Sequence, residues 1–143
     1  MTVKQISVFV ENEAGKMAEL AEVLYKNDID MRAMSMAETK DFGILRMIVD
    51  DNYKTSCVLK EEGYIFSMTP VLAVEVPDEP GGILKILNVL KEENINLEYM
   101  YAFISRKKEA AYMIFRVEDA EVAIKVLKKK GIKLAEQEEL SEL

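Results

Sequence analysis

Apolar residues along this chain follow two alternating rhythms, and the same succession of rhythms occurs twice. The opening stretch alternates Ile6, Val8 and Val10 against Gln5, Ser7 and Phe9; a stretch in the middle alternates Leu72, Val74 and Val76 against Ala73 and Glu75. A period of two predicts a half-buried strand. Each stretch runs into a glycine-bearing turn, Asn12-Glu13-Ala14-Gly15 or Asp78-Glu79-Pro80-Gly81-Gly82. The spacing then lengthens to i, i+3, i+4, i+7. Met17, Leu20, Ala21 and Leu24 form one such stripe and Ile83, Ile86, Leu87 and Leu90 the other, so each predicts a helix that buries one face. Asn27-Asp28 and Asn94 end these helices. Hairpins are predicted next, over residues 30–38 with 43–50 and 96–105 with 110–117, with Asp41-Phe42-Gly43 supplying turn chemistry in the first. Acids at Asp50-Asp51 and Glu118-Asp119 suit the start of a second helix in each half. Its stripe is clear in the second half (Ala120, Ala123, Ile124, Leu127) and weaker in the first, where Thr55 and Ser56 stand. Gly63 and Gly131 stop these helices. Short final strands are expected near 64–68 and 132–136, and the acidic tail from Gln137 to Leu143 is expected to fray.

The two halves are copies. A shift of 66 residues lays Val8, Val10, Glu13, Gly15, Val23, Leu24, Ile29 and Met34 on Val74, Val76, Glu79, Gly81, Val89, Leu90, Ile95 and Met100. A shift of 68 then lays Val49, Asp51, Val58, Leu59 and Gly63 on Val117, Asp119, Val126, Leu127 and Gly131. The change of shift places two inserted residues near Arg106-Lys107-Lys108-Glu109, in a hairpin that can lengthen at little cost. Strand, helix, strand, strand, helix, strand, twice over, predicts an α+β protein of two tandem ferredoxin-like βαββαβ units, residues 1–68 and 69–143. The helices are expected on one face of antiparallel sheets. In Leu97-Glu98-Tyr99-Met100-Tyr101-Ala102-Phe103-Ile104 both alternating sets are largely apolar, which predicts burial of both strand faces, side-by-side pairing of the copies and self-association.

Composition narrows the function. The net charge is −7 and is spread over both halves: 8 Lys+Arg against 12 Asp+Glu in residues 1–68, and 11 against 14 in residues 69–143. Such a chain repels phosphate backbones, so no nucleic-acid partner is expected, and Arg106-Lys107-Lys108 reads as a solvated hairpin tip. No apolar run reaches the length of a membrane span and the first residues lack a signal-peptide pattern. The lone Cys57 fits a reducing compartment, so a cytoplasmic location is expected. Histidine is absent, which removes the commonest general base and metal ligand. No cofactor or metal is expected. The methionines at Met31, Met34, Met36 and Met47 read as packing residues, and Cys57 as a small packing residue rather than a nucleophile.

Candidate chemistry centres on the two glycine turns. A glycine at a helix entry lets a ligand approach the backbone, and the first-turn N–H groups carry partial positive charge suited to a carboxylate. An Asn or Asp alongside could accept from an ammonium group, so the turn could hold both ends of an amino acid. The competing reading is structural: the glycines relieve a tight turn while Asn12 and Asp78 cap helices.

With these residues in view, the chain resembles ACT domains, and among them small stand-alone tandem-ACT proteins. The resemblance covers residues 3–136 and leaves no room for a catalytic domain. It implies a regulatory protein, not an enzyme, that binds an amino acid or other small effector at interfaces between modules. The matching positions are Asn12, Glu13, Ala14, Gly15 and Lys16 in the first copy and Asp78, Glu79, Pro80, Gly81 and Gly82 in the second. Met17 and Ile83, the next residue of each turn, join them as ligand-binding candidates, with Ile29 and Ile95 as an apolar wall, for which membership of the core is the competing reading. Lys16, where the second copy has Gly82, departs from the family pattern and leaves open whether both turns bind. Apolar candidates lean toward a branched-chain or aromatic amino acid. The implied partners are a free amino acid, a second copy in a homodimer or larger homo-oligomer, and a separate regulated enzyme. Two alternatives stand beside this: a small ferredoxin-like enzyme, for instance through Glu98 with Tyr99 or Arg116, or a protein-interaction module that binds no free amino acid. An RNA-binding version of the topology is disfavoured, because no RNP1-like motif accompanies Tyr112 and Phe115.

Overall fold

The computed structural model describes residues 1–106, 108 and 110–143; Lys107 and Glu109, within the expected hairpin tip, lie outside the described residues. The chain forms two compact units, Lys4–Thr69 and Pro70–Leu143, the latter joined by Met1–Val3. The elements run β1 (Val3–Glu11), α1 (Lys16–Lys26), β2 (Met31–Glu38), β3 (Phe42–Val49), α2 (Asn52–Glu61), β4 (Phe66–Pro77), α3 (Gly82–Glu92), β5 (Leu97–Phe103), β6 (Ala110–Val117) and α4 (Ala120–Lys129), then a 3-10 helix (Gln137–Glu139). The βαββαβ-type order therefore runs twice, as expected for tandem ferredoxin-like units, with β4 serving both copies and, among the described residues, no named strand after α4. The expected strand at 64–68 and the opening strand of the second copy are one strand, β4. No turn residue interrupts Phe66 to Pro77, and Pro70 accepts extended backbone.

Within each copy the pairing is antiparallel. In the first, β3 lies between β1 and β2, with Val8 opposite Leu45 and Met36 opposite Leu45 on the other side. In the second, β6 lies between β4 and β5, with Val74 opposite Met113 and Tyr101 opposite Ile114. The chain after α2 returns beside β1, where the Phe9 N–H donates to the Ile65 carbonyl at 2.9 Å. After α4 it returns beside β4, where Glu75 N–H donates to Lys133 O at 2.9 Å and Ala135 N–H to Ala73 O at 2.8 Å. The expected strand at 132–136 is thus a single bridge, Val74 opposite Leu134.

Among the described residues, period-two and period-3.6 stripes meet in a core of each copy. Ile6, Val8, Val10, Leu45, Met47 and Val49 pack under Leu20, Leu24, Val58 and Leu59; Leu72, Val74, Val76, Phe115 and Val117 pack under Ile86, Leu90, Ala123 and Leu127. Helix ends follow their local chemistry. Asp28 and Asn94 take left-handed backbone (φ 55° and 54°), and the N–H groups of Ile29 and Ile95 bond back to Leu24 and Leu90 carbonyls. Gly63 and Gly131 do the same for α2 and α4 at φ 79° and 76°. The weaker stripe of α2 is explained by Thr55: it is fully buried, and its hydroxyl donates to the Asp51 carbonyl at 2.7 Å, so a polar residue occupies a core position without an unsatisfied group.

Four expectations need correction. The first hairpin turns at Thr39-Lys40-Asp41, with Thr39 N–H donating to Phe42 O at 2.7 Å, while Phe42 and Gly43 already belong to β3. Gly43 serves close packing there, since a Cβ would meet the Met36 sulfur at 2.8 Å. The start of β1 is buried on both faces rather than one, and the Gln5 amide donates to the Ser7 hydroxyl at 3.0 Å. Along β5 one set is covered (Tyr101, Phe103), while Glu98, Met100 and Ala102 stay exposed. The tail does not fray: Glu136 and Glu139 form a capping box around the 3-10 helix, and Leu140 and Leu143 are buried.

Candidate functional site

The two glycine turns adopt one geometry. Gly15 and Gly81 precede α1 and α3 in left-handed backbone, at φ 87° and 85°. A substituent Cβ at either would meet nothing within 4 Å, so the backbone there is approachable from outside. Each turn closes on itself. Glu13 N–H donates to Glu11 O at 2.9 Å and Lys16 N–H to Glu13 O at 3.3 Å; Glu79 N–H donates to Pro77 O at 2.9 Å and Gly82 N–H to Glu79 O at 3.0 Å. Asn12, Glu13 and Ala14 are exposed, as are Asp78, Glu79 and Pro80.

A comparison among the chain's own helices is informative. Asp51 accepts from the Lys54 N–H at 3.0 Å and Asp119 from the Val122 N–H at 3.2 Å, so α2 and α4 carry side-chain caps. Helices α1 and α3 carry none. Asn12 therefore does not cap a helix; its side-chain amide donates to the Lys40 carbonyl at 3.4 Å and steadies the neighbouring hairpin. A helix leaves its first four N–H groups without intrahelical partners. Lys16 and Glu19 find carbonyls of Glu13 and Gly15, and Gly82 and Lys85 find those of Glu79 and Gly81. The first-turn donors left to a ligand are Met17 and Ala18 in one copy, Ile83 and Leu84 in the other. Two adjacent N–H groups at the positive end of a helix suit one carboxylate.

The turns differ in one respect. A Cβ on Gly82 would run into the Pro77 carbonyl, so the second turn is tighter and demands glycine for packing. The first turn has Lys16 in that place, partly buried and paired with Glu19 at 3.7 Å.

Ile29 and Ile95 are not brought to the turns of their own copies. They follow α1 and α3, eleven-residue helices, whereas the turns precede them; that is a separation of about 16 Å. Ile29 belongs to the first core and Ile95 packs against the second. Ile95 also lines a concavity of about 420 Å³ with Glu93, Asn94, Glu118 and Asp119. Two further concavities flank the glycine-turn helices at repeat-related places: about 340 Å³ lined by Glu11, Lys16, Glu19, Glu62 and Tyr64 among others, and about 390 Å³ lined by Glu75, Pro77, Lys85, Ile132 and Lys133 among others. Sequence reasoning missed both, because their walls join residues about fifty positions apart.

The residues weighed for catalysis are engaged otherwise. Arg116 lies 3.4 Å from the Glu98 carboxylate and donates to the Pro70 carbonyl at 3.0 Å, an arrangement that ties β6 to its neighbours. Cys57 is exposed on α2. Among the described residues no group of His, Cys, Asp or Glu is placed to hold a metal ion. Tyr112 is a strongly perturbed titratable group: burial, the nearby Glu75 carboxylate, the hydrogen bond to Glu75 and the Glu139 carboxylate push it up to about 12. Among the described residues no helix is long and apolar enough to cross a membrane.

A family model described as an ACT domain pair matches residues 1–143. The structure superposes on protein BT0572 from Bacteroides thetaiotaomicron with a TM-score of 0.93 at 36% identity, covering 100% of this chain and 98% of that one. It also resembles the ligand-free regulatory subunit of aspartate kinase from Thermus thermophilus, with a TM-score of 0.63 at 15% identity over 88% and 90% of the two chains. A structure of aspartokinase alpha and beta subunits gives 0.57 at 20% identity over 88% and 90%. At those identities the aspartate kinase structures speak for the fold alone. No functionally curated protein matches the sequence.

Proposed function

We propose, from the premise that this chain belongs to the family of ACT domain pairs, that it is a regulatory protein that senses a free amino acid at its glycine turns and is not itself an enzyme. The observation that carries the reading is the contrast among helix starts. Among the described residues, two of the four α-helices are capped by their own aspartates, and the two that begin at the glycine turns carry no side-chain cap. A ligand carboxylate would receive Ile83 and Leu84 N–H in the second copy, or Met17 and Ala18 N–H in the first. Asp78, exposed beside the second turn, would accept from the ammonium group; Asn12 offers only an amide oxygen. The second turn is accordingly the stronger site, and Lys16 distinguishes the first. Glu13, Ala14 and Gly15, with Glu79, Pro80, Gly81 and Gly82, shape the backbone rather than contact the ligand side chain.

A role on a separate enzyme and homo-oligomerisation are parts of the same proposal. A thermal-shift screen against the twenty amino acids tests the reading. A ligand at a hundred times its dissociation constant adds about 2.7 kcal/mol, roughly 5–11 °C for a chain of this size. The corresponding amino-acid amide, lacking the carboxylate, should give none of that shift. No shift with any amino acid, or equal shifts with acid and amide, would sink the proposal.

A further inference from the structure

The two copies have diverged most sharply at one place on the sheet face turned away from the helices. In the first copy Phe9, Phe42 and Ile65 are 45%, 52% and 72% exposed, and with Thr39 and Ile44 they line an apolar hollow of about 400 Å³. The shifts of 66 and 68 residues carry Phe9, Ile44 and Ile65 onto Glu75, Tyr112 and Lys133. Those three satisfy one another. The Tyr112 hydroxyl donates to Glu75 Oε2 at 3.2 Å, and Lys133 Nζ lies 3.9 Å from the same oxygen. The tail packs onto the second copy: the Leu143 carbonyl accepts from the Arg106 N–H at 2.6 Å, and Leu140 is buried. The same fold can therefore carry a polar, self-paired surface here, and the first copy carries an open apolar one.

We propose that this face of the first copy docks a segment of a partner protein that presents apolar anchors flanked by basic side chains. The hollow shares Phe9, Phe42 and Ile65 with the adjoining groove, whose charged residues are Glu11, Glu19 and Glu62 against Lys16 alone. Lys16 is already paired with Glu19. Apolar anchors gain by leaving water in the hollow, while lysines or arginines beside them meet the excess carboxylates. A second copy of this chain is the poorer occupant, since it brings the same acidic rim and a net charge of −7. The proposal stands apart from amino-acid sensing at the turns: a chain blind to every amino acid could still dock here.

The test transplants the second copy's residues, as the double variant Phe9→Glu/Ile65→Lys. Both positions are exposed, the new pair has a precedent in Glu75 and Lys133, and net charge is unchanged. The probes are fluorescently labelled short amphipathic peptides, one of leucine and lysine and its counterpart of leucine and glutamate, measured by anisotropy. The expected result is binding of the lysine peptide to the natural chain, weakened about tenfold or more in the variant, with the melting temperature preserved and no binding of the glutamate peptide. Equal binding by the variant, equal binding of the glutamate peptide, or no binding of the lysine peptide overturns the proposal. So does light scattering that shows a dimer which the variant separates, because the occupant would then be a second copy.

Discussion

Substituting Leu140 by alanine asks whether the C-terminal tail is held or merely adjacent. Leu140 is 1% exposed and Leu143 3%, three residues apart and following the capped 3-10 helix. Deleting most of a buried leucine side chain costs about 2–5 kcal/mol where the surroundings cannot relax. The tail lies beyond α4 and holds only a 3-10 helix, however, and can open by itself, so the loss cannot exceed the free energy that keeps it docked. The lower end of the range, about 2 kcal/mol, is therefore the expectation, or roughly 4–8 °C in melting temperature. Adding Leu143→Ala should cost little more, because a tail already released has nothing further to lose. Calorimetry reads the first quantity. Amide exchange reads the mechanism, since the Arg106 N–H, bonded to the Leu143 carbonyl at 2.6 Å, should lose protection in the single variant. A change below about 1 °C with Arg106 protection intact would show that the tail contributes nothing.

Two further outcomes follow from single groups. Tyr112 is raised from 10.0 to about 12, so the folded protein holds that proton more tightly than the unfolded chain; stability is full below pH 10 and falls as pH rises from there through about 12. Tyr64 is shifted the same way, burial again leading, and adds to the slope. Denaturant melts of Tyr112→Phe across that window should show a shallower fall, and an unchanged slope would refute the assignment. At the second turn, Gly82→Ala forces the Pro77 carbonyl to move, about 1–3 kcal/mol or more, whereas Gly81→Ala meets no atom and incurs only the left-handed backbone cost of about 1–2 kcal/mol. Thermal melts should rank Gly82→Ala as the more damaging; the reverse order would mean the close approach is not what selects glycine there.

Periodicity and repetition carried the fold because the positions that define it are backbone positions. Gly15 and Gly81, Gly63 and Gly131, Asp51 and Asp119 recur in register, and each pair performs the same local task in the structure. What the pattern misjudged has a common physical origin, which is that burial depends on what lies above a strand or tail and not on its own sequence. Gln5 looks like a solvent position and is fully buried; Met100 looks like a core position and is 41% exposed; the acidic tail looks solvated and places its two leucines inside. The turns were legible as candidate sites, but the feature that favours binding over capping was not. That Asn12 donates to Lys40 rather than capping α1 depends on a hairpin that arrives 28 residues later.

Duplication also explains why the site and the proposed docking face sit on different parts of each copy. Residues that stay alike between the copies, the turn glycines above all, mark what both copies must do to fold and, on our reading, to present bare helix N–H groups. Residues that part company mark what only one copy does. Phe9 against Glu75, Ile65 against Lys133 and Glu19 against Lys85 all fall on or beside the concavities next to α1 and α3, and none falls in a core. Drift on a surface free of demands would leave polar residues in both copies, since exposed apolar groups gain nothing in water. The first copy instead exposes two phenylalanines and an isoleucine, while the second has Glu75, hydrogen-bonded to Tyr112 and paired with Lys133, at equivalent places. A pair of modules built this way can hold two like turns for one small ligand and still offer a macromolecular partner a single, unambiguous face.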